Sequence, residues 1–271
     1  MPGFDWGTLL PGSVPLRIGI LNLTPDSFSD GGRFEHPEAA LAQARLLLAG
    51  GVRMLDLGAE STRPGARAVD ASEEWRRLEA TLALLREELP AVPLSVDTRR
   101  PATAARALDL GAAVLNDVTG FAEPGLLALA RERRCGLIAM RSRSLDGGLW
   151  MPPYDGPGRM DPAPLRAELL AVKHRLLDTG IAPGRILLDP GFGFGTTYAE
   201  DRALWEALPA LAEDLDWPAD RFCLGVSRKR FVARYFAGDG RLPPGDRDAA
   251  TAAAHRQAAG WGYRVFRTHA P

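Results

Sequence analysis

The chain has 271 residues, a length that suits one α/β barrel, and it carries a formal net charge of −1 without a lysine-rich or arginine-rich tract. This balance gives no reason to expect nucleic acid or an anionic membrane as a partner, and it favours small-molecule substrates. The N-terminus lacks a basic region followed by an apolar run, and nowhere do about 18 uninterrupted apolar residues occur. Cys135 and Cys223 have no metal-binding spacing, which is typical of structural thiols in a reducing compartment. We therefore expect a single domain, over residues 1–271, that works in the cytosol.

Short apolar or β-branched runs alternate with longer stretches of helical period along the chain. The runs predict eight strands, at 16–23, 54–57, 93–96, 114–117, 136–140, 186–189, 222–226 and 263–267. The helical stretches between them include 37–49, 73–89, 101–110, 123–134, 164–177 and 248–260. This alternation indicates parallel strands with crossover helices, and eight such strands close a (β/α)₈ TIM barrel. No helical stretch follows the eighth strand, so either the last outer helix is absent or something else covers that side of the barrel.

An open, doubly wound sheet is the alternative architecture for such a pattern. That fold commonly carries a G-x-G-x-x-G sequence after its first strand, and none is present here. The barrel is therefore the prediction that we carry forward.

Rare polar residues fall at the carboxyl ends of the predicted strands. Asparagine occurs only at Asn22 and Asn116, which close the first and fourth strands, and one of only two lysines, Lys229, follows the seventh. Further polar residues lie at or just beyond the ends of the third, sixth, seventh and eighth strands: Asp97, Asp189, Ser227, Arg267 and His269. Taken singly, each has a plain structural explanation, such as a helix cap for Asp97 or a turn residue for Asp189. Because strand ends share one face of a barrel, their convergence predicts an active site there.

The motifs that carry these residues are long and specific. They are G-I-L-N-L-T-P-D-S-F-S-D-G-G at 19–32, D-L-G-A-E-S-T-R-P-G-A at 56–66, S-V-D-T at 95–98, L-N-D-V-T-G at 115–120, L-D-P-G-F-G-F-G at 188–195 and G-V-S-R-K at 225–229. In content and order the sequence resembles the dihydropteroate synthases over nearly its whole length. The resemblance implies a (β/α)₈ fold, Mg²⁺ dependence, a cytoplasmic homodimer and a target of sulfonamides.

The activity that the resemblance implies is the condensation of p-aminobenzoate with 6-hydroxymethyl-7,8-dihydropterin diphosphate. Diphosphate leaves, a cationic methylene forms on the pterin, and the arylamine attacks it to give 7,8-dihydropteroate. This chemistry needs no protein nucleophile. The sequence agrees, because neither cysteine follows a strand end and no serine lies in a G-x-S-x-G turn.

Residue types at the strand ends suit the three parts of this reaction. A pterin presents adjacent N–H donors that a buried carboxylate accepts together, and the pterin site implied is Asp97, Asn116, Val118, Met140, Asp189 and Lys229. A departing diphosphate needs cations, N–H donors and a metal, and the implied group is Asn22, Thr62, Arg267 and His269, with Asn22 as the protein ligand of Mg²⁺. For p-aminobenzoate the resemblance implies Phe28, Thr62, Arg63, Pro64, Phe194 and Ser227.

Three positions depart from the pattern of the family. Arg141 stands where a histidine is common, Thr196 where a lysine is common, and Ala270 where an aspartate is common. The departures keep a non-catalytic pterin-binding paralogue open as an alternative. A methyltetrahydrofolate:corrinoid methyltransferase is a second alternative, but it would not need the S-T-R-P-G loop or the Arg267 and His269 end.

Overall fold

The computed structural model describes residues 3–10, 12–24, 37–60, 69–145, 148–149 and 152–270. Its centre is a sheet of eight parallel strands: β1 (Leu16–Asn22), β2 (Met54–Gly58), β3 (Leu94–Asp97), β4 (Val114–Asp117), β5 (Gly136–Met140), β6 (Ile186–Asp189), β7 (Cys223–Leu224) and β8 (Val265–Thr268). Neighbours in sequence are neighbours in the sheet, and β8 pairs with β1. A bridge between Leu188 and Phe222 links β6 to β7, so the sheet closes into a barrel. The predicted fold class is confirmed.

Helices cover the outside of this barrel. They are α1 (Pro37–Ala49), α2 (Ala71–Glu88), α3 (Pro101–Asp109), α4 (Pro124–Arg133), α5 (Ala163–Asp178), α6 (Tyr198–Asp214), α7 (Arg230–Ala237) and α8 (Asp248–Gly260). Both α7 and α8 lie between β7 and β8, and no helix follows β8 among the residues described up to 270. The helices α6 and α7 and a short hairpin, 144–145 paired with 148–149, were not among the predicted elements.

The inward-facing side chains change from apolar to polar along most of the strands. At the amino-terminal end, Leu16, Met54, Ile138 and Val265 belong to one buried apolar cluster that includes Trp6. The Trp6 ring is fully buried, and its Nε1 donates to the backbone oxygen of Arg185 at 3.0 Å, which closes this end of the barrel. Side chains alternate between the two faces of a strand, so the residues two positions further on also face inward.

The same alternation in the other strands gives the carboxyl-terminal end of the barrel, here called the mouth, a mostly polar lining. The inward positions that follow the apolar layer are occupied by Asn22, Asp56, Asp97, Asn116, Met140, Asp189 and Arg267. The strand register places several of them side by side, because Asp97 pairs with Asn116 and Met140 with Asp189. A site at the carboxyl ends of the strands therefore follows from period and register alone.

Candidate active site

A cavity of about 450 Å³ opens at the carboxyl ends of the strands. Nine residues that the sequence predicted for the site line it: Asn22, Asp97, Met140, Asp189, Phe194, Ser227, Lys229, Arg267 and His269. Among the described residues, Asn116 and Val118 are buried next to the mouth but are not part of the cavity wall. Phe28, Thr62, Arg63 and Pro64 lie outside the described residues, so their roles stay predictions.

Arg267 lies at the centre of an ion-pair network. Its Nε donates to Asp56 Oδ2 at 2.5 Å and its Nη2 to Asp97 Oδ2 at 2.7 Å. Asn116 Nδ2 donates to the same Asp56 oxygen at 3.0 Å. One guanidinium thus holds a carboxylate of β2 and one of β3, and it does so from the last strand of the barrel.

Asp56 is a member of this network to which the sequence analysis gave no role. It is fully buried, and its second oxygen, Oδ1, has no hydrogen-bond partner among the described residues. The signal that could have found it is the period of β2: Met54 faces the barrel interior, so Asp56 must face it too. A charged side chain at an inward position needs a partner, and Arg267 supplies it.

Asp97 is not the cap of the following helix. The N-cap of α3 is Arg100, whose backbone N–H donates to Thr98 Oγ1 at 3.1 Å, while the Asp97 carboxylate binds Arg267. Burial raises the pKa of Asp97 to about 7; Arg267 opposes this shift, and Asp56 adds to it. Buried beside a second carboxylate, Asp97 therefore takes up a proton near neutral pH.

Asp189 and Lys229 form the opposite wall of the cavity. Asp189 Oδ1 accepts from Gly191 N at 2.8 Å, so it is a turn residue and a cavity residue at once. Lys229 Nζ donates to the backbone oxygen of Phe192 and lies 4.3 Å from the centre of the Phe194 ring. Burial raises the pKa of Asp189 against the opposing charge of Lys229. Burial also lowers the pKa of Lys229 to about 8, although Asp189 and Asp201 oppose the shift.

His269 lies beside Ser227 at the end of the chain that the structure describes. The backbone N–H of His269 donates to Ser227 Oγ at 3.1 Å, and His269 Nδ1 is 3.2 Å from the same oxygen. These contacts hold the two residues against the same wall as Arg267. Asn22 lines the cavity at the end of β1, the strand that pairs with β8.

Local contacts explain one of the three departures, Thr196, but not Ala270. Thr196 Oγ1 donates to Asp201 Oδ1 at 2.7 Å, and Gly193 N donates to the same oxygen at 2.9 Å, so Thr196 helps Asp201 to fix the loop after β6. Ala270 contributes backbone hydrogen bonds, with its N–H donating to Thr268 Oγ1 at 3.3 Å and its oxygen accepting from the same hydroxyl at 2.8 Å. Neither change removes a predicted contact residue from the cavity.

The Lys229 pKa leads to a prediction for pterin binding. Below pH 8 the ammonium has three N–H donors for an oxo group, whereas the neutral amine is a weaker donor without charge. We expect the dissociation constant for 6-hydroxymethyl-7,8-dihydropterin to rise above pH 8, by at most about tenfold per pH unit. Titration calorimetry from pH 6.5 to 9.5 measures this. The variant Lys229→Gln should bind more weakly at pH 7 and lose the dependence above pH 8, and a dependence that persists in this variant would contradict the assignment.

Comparison with known proteins places the chain among pterin enzymes. Residues 18–269 match the family described as pterin binding enzyme. The dihydropteroate synthase of Mycobacterium leprae is 38% identical over 255 residues, which cover 92% of this chain and 87% of the relative. The Bacillus subtilis enzyme of the same name is 35% identical, with 88% and 77% covered.

Solved structures give the same result. Xanthomonas albilineans dihydropteroate synthase with 4-aminobenzoic acid is similar with a TM-score of 0.80 and 37% identity, covering 94% of this chain and 88% of that one. The same enzyme in complex with 7,8-dihydropteroate gives 0.77 and 34% over the same shares. In the described part of this chain, none of the helices combines the length and apolarity needed to cross a membrane.

Proposed function

The chain belongs to the pterin-binding enzymes and, among them, to the dihydropteroate synthases, and from that membership we propose how its barrel mouth performs the family's reaction. The enzyme is a transferase of folate biosynthesis that condenses p-aminobenzoate with 6-hydroxymethyl-7,8-dihydropterin diphosphate to 7,8-dihydropteroate and diphosphate. The observation that carries the residue assignment is the single cavity that gathers polar groups from six strands. Diphosphate release that depends on added p-aminobenzoate tests the function directly, and its absence would favour a non-catalytic pterin-binding protein.

The pterin ring is proposed to lie between Asp189 and the Asp97–Asn116 side of the cavity. Asp189 has one oxygen bonded to Gly191 N, and a carboxylate has about four acceptor positions, which leaves room for two adjacent ring donors. Lys229 donates to the oxo edge of the ring, and Met140 supplies an apolar wall. Val118, which is buried beside the mouth, stays a predicted contact. A site built on such hydrogen bonds rejects analogues that lack the matching groups.

Cleavage of the bond between the pterin methylene and the diphosphate requires stabilisation of the negative charge on the diphosphate and of the positive charge on the pterin. Arg267 and His269, with Asn22 and Thr62, are proposed to bind the departing diphosphate, whose charge matches their N–H donors. The positive charge that the methylene gains is delocalised over the pterin ring, where the proposed contacts with Asp97 and Asp189 would help to stabilise it. The attacking group is the amine of p-aminobenzoate, held by Phe194 and Ser227 and, outside the described residues, by Phe28, Thr62, Arg63 and Pro64.

No protein thiol competes with this route. Cys135 and Cys223 are buried and unpaired by disulfides, and burial raises the pKa of Cys135 to about 11 and that of Cys223 above its usual range. Both thiols therefore stay protonated at neutral pH, and thiols are poor nucleophiles in that form.

Mg²⁺ is the metal that the family implies, and the residues around Asn22 fit it. A side-chain carbon built on Gly58 would lie 3.8 Å from both Asn22 Oδ1 and Asp97 Oδ2, so the absence of a side chain at residue 58 leaves a gap edged by two oxygens. Mg²⁺ favours such sites, because it keeps most of its waters and takes few protein oxygens together with phosphate oxygens. When bound, it would neutralise the charge of the diphosphate, and Asn22 would hold it.

Metal dependence follows as a prediction. Chelation with EDTA is expected to lower turnover at least about tenfold, because the leaving group loses its counter-charge. Binding of 6-hydroxymethyl-7,8-dihydropterin, which has no phosphate, should change less than twofold in the same buffer. Steady-state assays and calorimetry measure the two quantities, and excess Mg²⁺ should restore turnover. Full activity in EDTA would remove the metal from the proposal.

We also propose that residues 1–271 form one domain, that the enzyme acts in the cytosol, and that it is a homodimer. The family match over residues 18–269 supports the first, and the two unpaired cysteines support a reducing compartment. The homodimer rests on the family resemblance alone. Sedimentation equilibrium distinguishes it from a monomer.

A further inference from the structure

We propose that Arg141, the residue that departs from the family pattern after β5, is a positioning residue for the pterin site. From behind the cavity its guanidinium fixes the loop 190–194, and this loop in turn fixes Asp189, Lys229 and the Phe194 ring. The inference rests on the proposed function, since these are its proposed substrate contacts. It adds a residue that touches no substrate.

Arg141 binds the loop through three backbone oxygens. Its Nε donates to Pro190 O at 2.9 Å, and its Nη2 donates to Gly191 O at 2.6 Å and to Phe194 O at 3.2 Å. The backbone N–H of Arg141 also donates to Asp189 O at 3.0 Å. The side chain is 1% exposed, so these bonds are shielded from water. Charge-assisted bonds of this kind are stronger than neutral ones.

The charge of this buried guanidinium is balanced on the side away from the cavity. Arg141 Nη1 donates to Glu168 Oε2 at 3.1 Å, and Glu168 on α5 also accepts from Arg143 Nε at 2.8 Å. Arg143 Nη1 then donates to Gly195 O at 3.1 Å. Two arginines from the segment after β5 therefore bind four backbone oxygens between residues 190 and 195. Each nitrogen of the Arg141 guanidinium has a partner, which is the condition for burying such a group.

The shape of the loop explains why a cation is needed behind it. Gly191 has a φ of 72°, and a side-chain carbon built there would lie 1.8 Å from the Arg141 backbone oxygen. The backbone bends so tightly around residue 141 that several carbonyl groups point at one centre. Carbonyl dipoles that converge repel each other unless a donor lies between them, and the guanidinium provides up to five N–H groups for this purpose.

The cavity side of the same loop bears the proposed substrate contacts. Phe192 O accepts from Lys229 Nζ, the Phe194 ring lies under the same ammonium, and Gly191 N donates to Asp189. The position of each contact therefore depends on a loop that Arg141 holds. Misplacement of a binding group by about 1 Å can change rates by about a hundredfold, so a modest relaxation of the loop is enough to matter.

The test compares two buried arginines that both bind backbone oxygens. Arg185, at the opposite end of the barrel, is also buried and donates to Cys135 O at 2.8 Å and to Ala130 O. The variants Arg141→Met and Arg185→Met should both lower the melting temperature. Only Arg141→Met is expected to raise the dissociation constant for 6-hydroxymethyl-7,8-dihydropterin and the KM for p-aminobenzoate, each at least about tenfold. Arg185→Met should leave both within twofold, measured where both variants are fully folded.

Equal dissociation constants for Arg141→Met and the parent would overturn the inference. If Arg141→Met does not fold, Arg141→Lys decides, because lysine keeps the charge but cannot span three separate oxygens. Arg141→Lys is then expected to bind the dihydropterin severalfold more weakly than the parent, and parental affinity would overturn the proposal. A parent that binds the dihydropterin but releases no diphosphate refutes the proposed function alone, and the comparison of variants still stands. A parent that binds no dihydropterin refutes both.

Discussion

Replacing Arg267 with Met is expected to lower the free energy of unfolding by about 3–5 kcal/mol at pH 8, because it leaves buried carboxylates without their counter-charge. Asp56 is fully buried, and the Asp97 side chain is only 16% exposed, so water cannot replace the guanidinium at both. Asn116 Nδ2 remains as a partner of Asp56, but it is neutral. Methionine keeps an unbranched side chain of similar bulk to the aliphatic part of arginine, so the loss reflects the missing charge in addition to the space that the guanidinium leaves.

The loss should depend on pH in a defined direction. The folded-state pKa of Asp97 is already raised to about 7, and without Arg267 it rises further above the unfolded value of about 3.9. A carboxyl with a raised folded-state pKa binds its proton more tightly when folded. The stability that this protonated carboxyl contributes is therefore fully present below about pH 3.9, and it is lost as the pH rises through the folded-state pKa. The difference in the free energy of unfolding between the parent and Arg267→Met, here called the deficit, should be smaller at pH 5 than at pH 8.

Urea unfolding at the two pH values measures this deficit. The matched control is Arg166→Met, which removes an ion pair with Asp214 at 2.6 Å between side chains that are 42% and 34% exposed. An exposed pair of this kind contributes about 0–1 kcal/mol. A deficit for Arg267→Met that matches the control, or that is equal at both pH values, would show that Arg267 does not neutralise buried carboxylates in the way proposed.

The barrel and the row of polar residues at its mouth could be predicted because both depend on local periodicity. Strand and helix periods identified eight strands, and strand ends share a face in any parallel barrel. The helix α6, which contains Pro209, was not predicted, although Thr197 and Glu200 form a capping box at its start that is visible in the sequence.

The pairing of charges at the mouth could not be predicted in the same way. Arg267 and Asp56 are 211 residues apart, and they meet only because β8 pairs with β1, next to β2. Arg141 likewise reaches Pro190 and Gly191 because β5 and β6 are neighbours across a long intervening segment. Sequence can place a residue on a strand end, but its partner is decided by closure of the barrel.

Asp189→Asn is expected to weaken binding of 6-hydroxymethyl-7,8-dihydropterin by about 1–3 kcal/mol, which is roughly a 5- to 150-fold change in the dissociation constant. Asp189 Oδ1 already accepts from Gly191 N, and the other oxygen faces Gly225 in the cavity. An amide has one acceptor oxygen and one NH₂ group in place of the two oxygens. Whichever way it is turned, the NH₂ group meets a donor, either Gly191 N–H or a ring N–H of the pterin.

Titration calorimetry at pH 7 measures the loss, and Asp117→Asn is the matched control. Asp117 is also a fully buried carboxylate at a strand end, where it accepts from Thr119 N at 2.8 Å and from Phe121 N at 2.6 Å, but it is not part of the cavity wall among the described residues. Both variants replace a buried acceptor of backbone N–H groups, so both should lose stability. Only Asp189→Asn should lose affinity, because only there does the amide also oppose a donor of the ligand. Parental affinity in Asp189→Asn would remove this carboxylate from the pterin site, and an equal loss in Asp117→Asn would show that the effect comes from the fold rather than from ring recognition.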